Sequence, residues 1–398
     1  AGGIGGGGIY VTVLMIFGGL STYDAVPLSK SVVFLGSVVS LLLNARKMGR
    51  KDASEKARAL IDYNICRLVV PSALMGTLIG VFLNRKLPDS LIVAVLVAVL
   101  LGMLVTSIRQ TARQCTAEAL EPDSGLHESS SPAQSTAEAP QPDSNSSPET
   151  TTNQDVLVRE VVQNAECNRT TLYAGDIALS IALLLTIVFC GTARFHAEQC
   201  YRGLREGDFE VCRYPLMTPF FGHSMENMMA EEVPANMFMF IALAVPLCFA
   251  SCVVLYNSKV CWRHQQWTLR EVLLYDAMAL GTGVLAGLVG IGGGLAFSPF
   301  FLGMGIEPAV AVATSSTCVI FTSSSTTLQY LGADRVIMTL MVVYGFVNLC
   351  ASYAGTSLVH WLHEQRPGRK SYISGIVMLG LLVSTVLALA KLIDPVEE

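Results

Sequence analysis

The sequence predicts an all-α, multi-pass membrane protein built from two inverted repeats, with discontinuous helices at two glycine motifs. Three observations predict it. Hydrophobic residues make up 52% of the chain and charged residues only 14%, with a mean hydropathy of +0.51, outside the range of soluble domains. Apolar stretches of membrane-spanning length recur from one end to the other. The run Gly3-Ile4-Gly5-Gly6-Gly7 returns near residue 290 as Gly290-Ile291-Gly292-Gly293-Gly294, each time followed by a short apolar piece and then a span with a polar start.

A spanning helix needs about 20 mostly apolar residues. On that criterion full spans are predicted at Val26 to Leu43, Leu68 to Leu83, Leu91 to Ile108, Leu172 to Cys190, Met237 to Tyr256, Leu273 to Val289, Ala309 to Tyr330, Val336 to Leu362 and Tyr372 to Leu392. The pieces after the glycine runs, Ile9 to Phe17 and Leu295 to Met304, are too short for a bilayer of roughly 30 Å at about 1.5 Å per residue. They read as half-helices.

The chain divides into a first transmembrane repeat over 1–108, a linker over 109–171, a transmembrane helix over 172–190, an extramembrane loop over 191–236, a helix over 237–256 and a second, inverted repeat over 272–392. The linker carries Ser129-Ser130-Ser131-Pro132 and Ser144-Asn145-Ser146-Ser147-Pro148, and has too little apolar surface to offset the entropy of ordering. The loop holds Cys200 and Cys212, either a disulfide or two free thiols. The helix that precedes the second glycine run has no counterpart before the first, so the N-terminus reads as truncated.

Orientation follows from basic residues in short loops. Arg46, Lys47, Arg50, Lys51, Lys56 and Arg58 follow Leu43; Lys259, Arg263 and Arg270 follow Tyr256; Arg366, Arg369 and Lys370 follow Leu362. The opposite loops hold only Arg85, Lys86 and Arg335, so the basic loops are placed in the cytoplasm. Traced from there, the span from Val26 runs inward and its counterpart from Ala309 runs outward. Leu273 to Met304 must then enter and return as a hairpin with its turn at the glycines. Two sequons, Asn145-Ser146-Ser147 and Asn168-Arg169-Thr170, lie in the linker, and a glycan on either would reverse this orientation. The protein is expected in the plasma membrane, with an organellar membrane as the other option.

Glycine-dense backbone inside an apolar region leaves N–H groups facing a cavity, because lipid tolerates no unsatisfied backbone. The candidate substrate-binding residues are Gly5, Gly6, Gly7, Ser29 and Lys30 in the first copy, and Gly292, Gly293, Gly294, Thr314, Ser315 and Ser316 in the second. A half-helix N-terminus carries unpaired amides and about half a positive charge, so two converging termini suit an oxyanion. Serine and threonine hydroxyls add donors, unless they bond back to the i−4 carbonyl. Lys30 is an intramembrane charge and hence a functional candidate; its other reading is a lysine snorkelling to the interface. Ser298-Pro299 offers an alternative start for the second half-helix. The pair Gly283 and Gly287 reads as helix packing, and Asp276 as a cap or interface residue.

Other classes are disfavoured. The formal charge of −5 sits largely in soluble segments and says little about partners; nucleic acid is not expected. The eleven cysteines form no CxxC pair, so no metal and no cofactor is expected. No GxSxG, HExxH or paired intramembrane carboxylate appears, so no enzyme is expected either.

The residues Gly290-Ile291-Gly292-Gly293-Gly294, then Pro299, then Ala313-Thr314-Ser315, resemble the TauE/SafE sulfite exporter family, also called the 4-toluene sulfonate uptake permeases, in a eukaryotic-type form with a long central linker. The resemblance covers most of the membrane part and excludes the linker and the loop over 191–236. It implies an inverted-repeat fold that transports sulfur-containing anions such as sulfite or sulfonates. The first copy departs from the second, with Thr12 in place of Pro299, and Leu28 and Lys30 in place of Thr314 and Ser316. The expected function is a secondary transporter working by alternating access, with a small anion, the bilayer and a coupling ion, H+ or Na+, as partners. A passive anion channel is the alternative.

Overall fold

The computed structural model describes residues 7–48, 62–120, 174–206, 234–264, 267–304, 306, 308–365 and 371–393. Eleven helices and no strand lie among them. In chain order they are α1 (Gly7–Ile16), α2 (Thr22–Met48), α3 (Tyr63–Asn84), α4 (Asp89–Leu120), α5 (Ala174–Glu206), α6 (Pro234–His264), α7 (Leu269–Val289), α8 (Gly294–Gly303), α9 (Pro308–Gly332), α10 (Met338–Gln365) and α11 (Ser371–Ile393). The fold is the predicted all-α, multi-pass membrane class.

Six of the nine predicted full spans, α3, α4, α5, α6, α7 and α10, contain a described stretch long and apolar enough to cross a bilayer. The helices α2 and α9 carry polar residues into the interior. Ser29, Lys30 and Ser31 of α2 and the run Thr314 to Ser316 of α9 are all buried. Helix ends also differ from expectation: α4 and α5 extend past Ile108 and Cys190. The remaining linker, both sequons and Cys212 lie outside the described residues.

Local sequence explains where the elements begin and end. Asp62 caps α3 by accepting from the N–H groups of Asn64 and Ile65 at 3.0 and 3.3 Å. Thr268 and Glu271 form a capping box on α7. That helix stops at Gly290, whose φ of +77° favours glycine.

Prolines inside two helices build interhelical joints. A proline cannot donate to the carbonyl four residues earlier, so Pro27 frees Tyr23 O and Pro71 frees Arg67 O. Other elements supply the missing donors: Arg335 Nη2 donates to Tyr23 O at 2.7 Å, and Asn257 Nδ2 to Arg67 O at 2.9 Å. Asp276 forms a third joint, accepting from Ser72 Oγ and Ser258 Oγ, both at 2.7 Å, and so ties α3, α6 and α7 together. It is half-buried between these helices rather than capping a helix end.

The centre of the bundle is the pair α3 and α7, whose backbones meet over glycine on both sides. A Cβ on Gly283 would stand 2.1 Å from Ala73 O, and one on Gly80 would stand 2.3 Å from Val284 O. Gly283 and Gly287 therefore serve packing. The two helices run parallel, since Gly76 faces Gly283 and Gly80 faces Gly287.

Beyond Gly290 the chain turns back. Near the start of α7, Tyr275 packs on Phe300 and Phe301 near the end of α8, with ring centroids 5.2 and 6.3 Å apart. The segment is thus a hairpin with the glycines at its turn. The start of α2 meets the chain just past the end of α9, at the Arg335–Tyr23 bond, so those two helices run antiparallel.

Candidate functional site

Both short helices begin inside a glycine run, α1 at Gly7 and α8 at Gly294, and each is ten residues long. The start at Gly294 precedes the alternative at Ser298-Pro299. The two runs touch. A Cβ on Gly7 would lie 2.1 Å from Gly292 N, 2.6 Å from Gly290 O and 2.9 Å from Ile291 C, all backbone atoms. Only glycine fits this approach. Gly5 and Gly6 lie outside the described residues.

Side chains from α2 hold the two runs together. Ser29 Oγ donates to Gly7 O at 3.0 Å and to Gly290 O at 3.4 Å. Lys30 Nζ donates to Ile291 O at 2.6 Å and is 0% exposed, which rules out snorkelling. Among the described residues no carboxylate lies within ion-pair distance of Lys30. Its charge is therefore met by a neutral carbonyl alone.

The carbonyls leading into the turn are taken by donors from other helices. Tyr330 Oη donates to Gly287 O at 2.8 Å and Asn84 Nδ2 to Leu288 O at 2.7 Å. Ser29 and Lys30 follow at Gly290 O and Ile291 O. The amides are the reverse case: among the described residues nothing accepts from the N–H groups of Gly292, Gly293 or Gly294. The turn thus has its negative ends capped and its positive ends open, at the N-terminus of α8. Such a cluster favours a small anion with several oxygens.

Of the remaining predicted residues, Gly293 belongs to the turn, whereas Thr314 and Ser315 bond elsewhere along α9. A Cβ on Gly293 would meet the Phe297 ring at 2.9 Å and Thr322 Oγ1 at 3.4 Å, so Gly293 faces α9 at Thr322. Ser315 Oγ accepts from Ser298 Oγ at 3.0 Å, tying α8 to α9. Thr314 Oγ1 accepts from the Asp62 N–H at 3.0 Å and so supports the start of α3. Ser316 is buried.

Sequence reasoning missed several participants. Asn84 and Tyr330 sit at the ends of spans, where they read as interface residues, and only tertiary contact shows them capping α7. Thr12, the departure from Pro299 of the second copy, approaches Ser384 Oγ at 3.2 Å and carries polarity into the contact between α1 and α11. The Thr327 hydroxyl is buried and has no hydrogen-bond partner. Thr326, next to it, bonds back to the carbonyls of Thr322 and Ser323, as many hydroxyls in α9 do.

Comparison with known proteins follows this geometry. The sequence profile described as "Sulfite exporter TauE/SafE" matches residues 1–142 and 208–389. Sulfite exporter TauE/SafE family protein 5 of Arabidopsis thaliana is 29% identical over 395 residues, covering 97% of this chain and 78% of that protein. Family protein 1 of the same plant is 25% identical over 406 residues, covering 97% and 79%. No solved structure matches the chain. The matched regions contain both glycine runs and every predicted site residue, and the relatives are named for transport. The chain belongs to the sulfite exporter TauE/SafE family, a family of membrane transporters.

Proposed function

We propose that the chain is a secondary transporter that moves a small sulfur-containing oxyanion, such as sulfite or a sulfonate, by alternating access. The anion is held at the touching glycine runs by the open amides of Gly292, Gly293 and Gly294. Ser29 and Lys30, which bond the carbonyls of the two runs, support this placement. The observation that carries this reading is the pairing of a fully buried Lys30, whose one partner among the described residues is a carbonyl, with amides from which no described residue accepts. A buried cation without a counter-charge is costly. An oxyanion beside it supplies that charge and accepts from the amides at once.

The antiparallel course of α2 and α9 is the relative direction that an inverted pair of repeats requires, and it supports two gates that open in turn. The glycine turn then stays near the fixed point between them.

Sulfite flux into proteoliposomes tests the reading. Lys30→Gln keeps a donor for Ile291 O and removes the charge, so the half-saturating sulfite concentration is expected to rise about tenfold or more, the worth of one charged hydrogen bond. Gly293→Leu fills the turn and is expected to abolish flux. Undiminished flux in both variants refutes the site. A thermal-shift screen of the purified protein should show stabilisation by sulfur oxyanions, since a ligand that binds only the folded state raises its stability. Saturable uptake with counterflow marks a carrier, and linear flux without counterflow marks the passive channel instead.

A further inference from the structure

Where α3 and α9 end, three guanidinium groups gather that the glycine site does not use. Arg85 follows α3, Arg194 lies on α5 and Arg335 follows α9; Arg85 is close enough to act electrostatically on both of the others. Aromatic faces lie against each of them. Arg194 lies over Phe82 at 4.7 Å, Arg85 over Phe195 at 4.8 Å, and Arg335 over Tyr23 at 3.4 Å and Tyr330 at 5.2 Å. Acceptors are scarce. Glu198 is engaged by Arg85 at 2.7 Å and also acts electrostatically on Arg194, and Asp24, which accepts from Ser21, acts on Arg335.

Arg194 is 6% exposed and Arg335 5% exposed, yet Nε and Nη1 of Arg194 and Nε of Arg335 have no hydrogen-bond partner among the described residues. Donors on a buried cation that lack acceptors are among the costliest features a fold can keep. The cluster is also wired to the glycine turn. Arg335 Nη1 donates to Asn84 Oδ1 at 3.1 Å, and Asn84 in turn donates to Leu288 O at 2.7 Å. Tyr330, under Arg335, donates to Gly287 O at 2.8 Å.

We infer that Arg194 and Arg335, with Arg85 beside them, form a second oxyanion site, where the transported anion waits before or after the glycine turn. This rests on the transport reading above. The occupant is a small free oxyanion with several acceptor oxygens, which satisfies the open donors and neutralises the cluster. It enters past Arg85 and Glu198, whose side chains keep 15% and 16% of their surface open. Glu198 competes with it for Arg85.

The test uses the full chain in proteoliposomes with sulfite as the probe. Arg194→Gln is expected to raise the half-saturating concentration about tenfold while leaving the maximal rate within about twofold, with Arg194→Lys intermediate. Glu198→Gln removes the competitor and is expected to lower the half-saturating concentration, which decides the matter if Arg194→Gln does not fold. Unchanged half-saturation in both Arg194→Gln and Glu198→Gln overturns the site. A lipid phosphate offers the same chemistry. If Arg194→Gln strips a tightly bound phospholipid from the purified protein and leaves sulfite half-saturation unchanged, the occupant is a headgroup and the proposal fails. If Gly293→Leu abolishes wild-type flux but Arg194→Gln does not alter it, only this second site is lost. Absence of any sulfite flux or thermal shift in the wild type removes the transport reading and this site together.

Discussion

Alanine at Gly7 is expected to abolish sulfite flux, whereas alanine at Gly293 should reduce it far less. The difference lies in what the added methyl meets. At Gly7 it would collide with three backbone atoms of the second glycine run, at 2.1, 2.6 and 2.9 Å. Backbone cannot rotate aside, so the two runs must separate. Ser29 then cannot bond both Gly7 O and Gly290 O, and the geometry around Ile291 O and Lys30 opens with it. A displacement of about 1 Å at such a site is worth about a hundredfold in rate. At Gly293 the first atom met is the edge of the Phe297 ring at 2.9 Å, a side chain that can shift. Parallel flux measurements on Gly7→Ala and Gly293→Ala, normalised to folded protein, check this. Equal activity of the two variants would mean that contact between the runs is not needed for transport.

Gly283→Ala is expected to give the largest loss of stability among the glycines where α3 meets α7. Its methyl would stand 2.1 Å from Ala73 O, 2.9 Å from Ala73 C and 3.0 Å from Ala73 Cα, at the closest point of α3 and α7. Overpacking a well-filled interface costs about 1–3 kcal/mol, and a backbone obstacle puts this case at the upper end. The neighbouring Gly281 is the internal control, since a methyl there meets nothing within 4 Å. Gly281→Ala should be neutral or stabilising by up to about 1 kcal/mol through reduced backbone freedom. Melting of the purified protein in detergent separates the two, and a Gly283→Ala variant that melts with the wild type would exclude tight packing of α3 on α7. Both variants leave the glycine turn itself intact.

The elements were legible because hydrophobic length and glycine runs are local signals. The two ten-residue helices after the glycine runs, the hairpin from Leu273 to Met304 and the packing role of Gly283 and Gly287 follow from the order of residues alone. Lys30 was legible as a charge out of place, but not in its orientation: spacing is equally consistent with a lysine reaching to the interface and one turned inward. Ile291 O decides between them. The joints at Tyr23 O and Arg67 O show the same division. Pro27 and Pro71 declare from sequence that two carbonyls lose their donors, but which side chain replaces the lost N–H is not a local property.

Asn84, Tyr330 and the arginine cluster were illegible for that reason. Each sits at the end of a span, where a polar residue is ordinary. Their roles depend on partners distant in sequence, and such contacts exist only once the helices have packed. Residue order was enough for an all-α membrane protein with a short helix after each glycine run, because burial in lipid constrains length, polarity and backbone satisfaction along the chain. Tertiary structure alone decided that the two glycine runs touch, that Ser29 and Lys30 bind the second run and that its amides are left open. Those facts rest on distances between residues more than 260 positions apart along the chain, which no local pattern encodes.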